Sequence, residues 1–101
     1  MKRSYAVLWS TDGDTGPGRL DPLDDRFELH GRNRRLSIPF ADLAGASIAR
    51  GPKDRLHGLP VLALALRNGS PAVRIASLEG TAVLHELADR VEHAGLTVFA
   101  A

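Results

Sequence analysis

Apolar and polar positions alternate with period two through most of the first 78 residues, the pattern of half-buried antiparallel strands. Residues 5–10 (YAVLWS) read as a strand closed by polar turn formers. Residues 11–18 (TDGDTGPG) are dense in glycine and carry Pro17, so a loop is expected there. Phe27 and Leu29 then alternate with Arg26, Glu28 and His30. After a turn at Gly31, Leu36, Ile38 and Phe40 alternate with Arg35, Ser37 and Pro39. Pro39 cannot donate to a ladder, so that strand ends there or lies at an edge. Residues 44–50 make a weaker strand, because Ala and Gly are poor strand formers. In residues 59–67, Leu62, Leu64 and Leu66 share one face and Val61, Ala63 and Ala65 the other. Asn68-Gly69 signals a hairpin, from which residues 72–78 return.

Only then does the period change. Leu84, Leu87, Ala88 and Val91 fall at helical spacing within residues 81–94. Gly80 or Thr81 is placed to cap the start of this helix, and Gly95 to form a left-handed C-terminal cap. Residues 96–101 are compatible with an extended segment at a sheet edge. Strands followed by one helix, without βαβ alternation, exclude a doubly wound sheet. About seven antiparallel strands in this length are expected to curl into a barrel or two orthogonal sheets. The amphipathic helix is the right size to plug the open end. Strands over about 5–78 and a helix over about 81–94 make a mainly β (α+β) domain. The whole chain, 1–101, is read as that single domain.

Composition narrows the functional classes. There is no cysteine, which removes disulfides, thiolate nucleophiles and Cys-ligated metals. Thirteen basic residues face twelve acidic ones, too even a balance to predict attraction to nucleic acid or membrane. The distribution is less even: residues 26–55 carry seven bases against three acids. Lys2 and Arg3 precede an apolar run too short for a signal peptide. The apolar stretch 59–66 is far shorter than the roughly 20 residues of a spanning helix. A cytoplasmic location is therefore the expectation.

Three segments together resemble a known family. They are RLSIPFADLAGASIAR, RLHGLPVLALALRNGSPAVRIASL and the amphipathic EGTAVLHELADRVEHAG. In this order they look like a pleckstrin-homology (PH)-like domain of the small bacterial kind. Ile38-Pro39-Phe40-Ala41-Asp42-Leu43 is similar to that family's corner between two strands. The likeness runs from about Tyr5 to Gly95 and implies a PH-like barrel in two orthogonal sheets, capped by one C-terminal helix. In the phosphoinositide-binding branch of the family the loop after the first strand is basic. Here that loop carries Asp12 and Asp14 and no base, which would repel a polyphosphate. Phosphoinositide binding is therefore not carried over.

Candidate chemistry is sparse. His85, Asp89 and His93 share one helix face, but the outer pair spans two turns, so one ion cannot bind both. No nucleophile elbow, zinc-helix motif or Walker lysine occurs. No enzyme activity, cofactor, metal or small-molecule substrate is expected. Arg32, Arg34 and Arg35 at one turn, and Arg50, Lys53 and Arg55 in a later loop, form a candidate surface for an anionic partner if they meet in space. Tyr5, Val7 and Trp9 share one strand face. Parity leaves open whether they form an exposed protein-interaction stripe or part of the core. The chain reads as a non-catalytic binding module that recognises a protein partner or a second copy of itself. The alternative is an electrostatic adaptor docking anionic lipid or nucleic acid through the Arg-rich loops. Neither nucleic acid nor a membrane surface is the favoured partner, since aromatic residues are only 5% of the chain and the charges balance.

Overall fold

The first strand, β1 (Tyr5–Thr11), turns back within two residues into β2 (Asp14–Pro22). The computed structural model in which this is seen describes residues 4–49, 51 and 55–100. Asp12 and Gly13 both adopt positive φ, 54° and 84°, the conformation of a tight turn that matches strand twist. The loop expected over 11–18 is thus a two-residue turn. Residues 14–18 pair with β1, with Trp9 opposite Gly16, Leu8 opposite Pro17 and Val7 opposite Gly18. Pro17 is tolerated because β3 pairs with β2 only from Arg19 onward, so this half of β2 is an edge.

The chain continues through β3 (Arg26–His30), β4 (Arg35–Pro39), a single 3₁₀ turn at Phe40–Asp42, β5 (Leu43–Ala49), β6 (Val61–Leu66) and β7 (Val73–Ser77). It ends with α1 (Thr81–His93) and β8 (Val98–Ala100). The order across the sheet is β4-β3-β2-β1-β7-β6-β5-β8. All neighbours are antiparallel except β5 and β8. The two halves, β1 to β4 and β5 to β7, are joined edge to edge through β1 and β7, so hydrogen bonding runs unbroken from one to the other. The C-terminal segment adds an eighth, parallel strand to the seven expected.

The core fills from both halves and from the helix. Val7, Leu20, Phe27, Leu29, Leu43, Leu62, Leu64, Val73 and Ile75 are fully buried, and Leu84, Leu87, Ala88 and Val91 of α1 join the same cluster. Phe27 and Phe40 meet edge to face at 4.9 Å, a favoured aromatic geometry. Burying each large aliphatic side chain contributes about 1.5–3 kcal/mol, which is what holds the helix against the curled sheet. Gly80 is the N-cap and offers no side-chain hydrogen bond. The other end of α1 is closed by a Schellman motif, with Gly95 at φ 93°. Leu96 N–H donates to Val91 O and Gly95 N–H to Glu92 O.

A smaller apolar cluster lies apart from this core. Leu56, Val61 and Ala76 are buried together against Leu8, Ala49 and Leu59. Leu56 and Leu59, which precede β6, pack in this cluster. Val61 is thereby buried, and of Val61, Ala63 and Ala65 on that face only Ala65 is exposed.

Candidate functional site

Tyr5, Val7 and Trp9 are 7%, 0% and 1% exposed, so they are core and not an interaction stripe. The reason is register: the same face of β1 meets Leu20, Gly18 and Gly16 of β2 on the concave side of the sheet. The two ends of β1 do different work. The Tyr5 hydroxyl donates to Glu86 on α1, tying that end to the helix. At the other end the Trp9 indole N–H donates to His30 O at 3.2 Å. The Arg34 guanidinium lies over the indole, 3.9 Å from the ring centroid. It also donates to Trp9 O at 2.8 Å and to Asp14 O at 3.0 Å.

This arrangement decides what the first basic segment can do. Arg34 is committed to an indole face and two carbonyls. Arg32 is exposed in the β3–β4 turn and Arg35 is exposed on β4. Of the second segment, Arg50 and Lys53 lie outside the described residues. Arg55 donates to Gly58 O at 2.8 Å within its own turn. β3 and β6 run in the same direction. The first basic segment follows the end of β3, while Arg55, the described base of the second, precedes the start of β6.

On the helix, His85, Asp89 and His93 are all exposed, and the His93 ring Nδ1 lies 2.8 Å from Asp89 O. Among the described residues no group of three or more His, Asp or Glu is placed to hold a metal ion. None of the described helices is long and apolar enough to cross a membrane.

A polar cluster that the pattern of residues did not reveal sits on β2 and β3. The Ser4 hydroxyl donates to Asp21 Oδ1 at 2.6 Å. Arg19 Nε lies 3.2 Å from that oxygen, and His30 Nε2 lies 3.3 Å from Asp21 Oδ2. Partial burial alone would raise the Asp21 carboxyl, but the Ser4 hydrogen bond and the Arg19 and His30 charges outweigh it and hold it below the usual carboxylate range. This cluster joins β2 to β3 and the segment before β1.

The feature with unmet capacity is β4. Among the described residues it is the last strand on its side of the sheet. Gly31 N–H donates to Arg34 O at 2.7 Å, and Phe40 N–H to Asp25 O at 2.9 Å. Between those two pairs, antiparallel alternation turns Leu36 and Ile38 toward β3 for hydrogen bonding. The backbone groups of Arg35, Ser37 and Pro39 point the other way. Pro39 has no N–H, so the free edge offers two N–H and three C=O groups. Beside it runs a groove of about 330 Å³. Leu36, Ile38 and Pro39 form one wall, and Asp42, Leu66, Arg67 and Asn68 the other. Arg67 is fixed there: its N–H donates to Asp42 O at 2.9 Å and its Nε–H to Leu43 O at 3.0 Å.

The chain superposes on solved structures across most of its length. It matches the Vps36 N-terminal PH domain with a TM-score of 0.68 over 92% of this chain and 81% of that one, at 15% identity. The fold is PH-like. The C-terminal domain of an unknown protein from Leishmania infantum matches equally well, TM-score 0.68, over 89% of this PH-like chain and 82% of that one, at 10% identity. At such identities the likeness is one of fold. No family model matches the sequence, and no curated protein does.

Proposed function

We propose that this PH-like domain is a non-catalytic protein-recognition module that receives an extended segment of a partner along the free edge of β4. The observation that carries the reading is the combination of unpaired backbone groups at Arg35, Ser37 and Pro39 with an adjoining groove lined by Leu36, Ile38 and Leu66. Strand addition uses main-chain hydrogen bonds for affinity and alternate side-chain positions for specificity. An edge left open is otherwise a liability for association with the wrong chain. The electrostatic-adaptor reading is weaker, because Arg34 is occupied at Trp9 and Arg55 donates within its own turn.

The test is selection of a displayed library of unstructured peptides on the immobilised full chain. Backbone amide shifts of the ¹⁵N-labelled protein are then followed with the selected peptides. Shifts concentrated at residues 35–39 and 66–68 support the reading. Failure to select any peptide, or shifts confined to another face, overturns it.

A further inference from the structure

We infer that the segment received at β4 carries an acidic side chain, aspartate or glutamate, set between apolar residues two positions apart. This inference rests on the strand-addition reading and concerns the chemistry of its occupant. The alternation of β4 decides the pattern of the incoming chain. Leu36 is half-buried and Ile38 buried on one face, while Arg35 and Ser37 are exposed on the other. A strand laid beside β4 inherits the same two faces. Its inward residues continue the apolar floor toward Leu66 and its outward residues lie level with Arg35 and Ser37.

The charges of the rim decide the outward residue. Arg35 is exposed on the outward face of β4, where an outward residue of an incoming strand would lie beside it. Arg67, also exposed, lines the groove with Asp42, while Glu28 sits across from Ser37 on the β3 side, one strand farther from the incoming chain. Arg67 is held by two hydrogen bonds to Asp42 O and Leu43 O, one of them from its own Nε–H. Its guanidinium is therefore positioned before a ligand arrives, which lowers the ordering cost of a charge-assisted contact. A basic side chain in the same place would lie beside the Arg35 guanidinium. The Pro39 position limits the ladder: a carbonyl opposite it finds no donor. The recognised stretch is therefore short, with its acid near Arg35 and Ser37 rather than near Pro39.

The experiment uses the full chain and acetylated, amidated heptapeptides derived from the selected binders, so that no terminal carboxylate is present. Each is made with Glu, Gln or Lys at the outward central position, and affinity is read by fluorescence anisotropy at two salt concentrations. The Glu peptide is expected to bind roughly three- to ten-fold more tightly than the Gln peptide, with Lys weakest and the difference shrinking at high salt. Charge reversal at Arg35→Glu or Arg67→Glu is expected to invert the order, so that the Lys peptide binds best. Circular dichroism of both variants reports folding. Arg35 makes no contact on which folding depends among those described, and serves if Arg67→Glu does not fold. Equal affinity of the three peptides for a protein whose β4 amides still shift would overturn this inference and leave the strand-addition reading standing. Absence of any shift at β4 would remove both.

Discussion

Trp9 is buried because Gly18 makes room for it and Arg34 holds it down. A Cβ on Gly18 would lie 1.9 Å from His30 O and 2.7 Å from the indole nitrogen, so no side chain fits there without moving backbone. Gly18→Ala is expected to cost at least about 2 kcal/mol by forcing β2 from β3, measured by urea unfolding. Arg34→Ala removes the guanidinium from the indole face and from two carbonyls. It is expected to cost about 1–3 kcal/mol. Arg34→Lys should recover little, since an ammonium cannot stack on the ring and fork to both oxygens. Neither role was legible in the chain. Trp9 and Arg34 are 25 residues apart, and no periodicity links a strand residue to a turn residue at that distance. The basic character of residues 32–35 was visible, but not that one of the three cations is spent on an indole.

Asp21 sets part of the pH response. Its carboxyl titrates below the ordinary value of 3.8 in the folded chain, so the unfolded state binds the proton more readily. Stability rises with pH across that interval. The contribution is complete above the ordinary carboxylate range and is lost as pH falls below 3.8 through the folded value. Asp21→Asn should therefore flatten the acid side of the stability curve, as read by thermal unfolding at a series of pH values.

At the scale of elements, legibility followed how local the signal was. The helix announces itself by Leu84, Leu87, Ala88 and Val91 at one spacing, and its end by Gly95. Gly95→Ala is expected to cost about 1 kcal/mol, because the Schellman position needs positive φ. Leu87→Ala should cost about 2–5 kcal/mol from lost burial and a residual cavity. Both are measurable by denaturant unfolding. The first half of β2 was hidden by its own composition. Gly16, Pro17 and Gly18 argue against a strand, yet the glycines clear space for Arg34 and Trp9, and the proline faces an edge with no neighbour. Asp12-Gly13 was the short-range signal that could have revealed the hairpin. Edge status for β4 was one of the two readings that Pro39 allowed, the other being that the strand ends there; β4 does both. Its free groups were not anticipated, since they depend on which residues pair with β3.

For the whole molecule, the helix and the Trp9 niche lie at opposite ends of β1 but share one apolar cluster. Unfolding is therefore expected to be a single transition. Far-ultraviolet dichroism of the helix and emission of the one tryptophan should give coincident urea midpoints. Two separated midpoints would mean that the niche melts independently of the plug.

The Asp12-Gly13 turn has a practical corollary. Both residues are exposed, and nothing lies within 4 Å of where a Gly13 side chain would begin. Thr11 and Asp14 face each other across the hairpin, with their Cα atoms about 5 Å apart as antiparallel partners are. A guest sequence such as an epitope or a dye-attachment peptide, spliced between them, inherits ends that the scaffold already brings together. That graft would decorate the domain at a rim distant from the helix, while β4 stays available on its own flank.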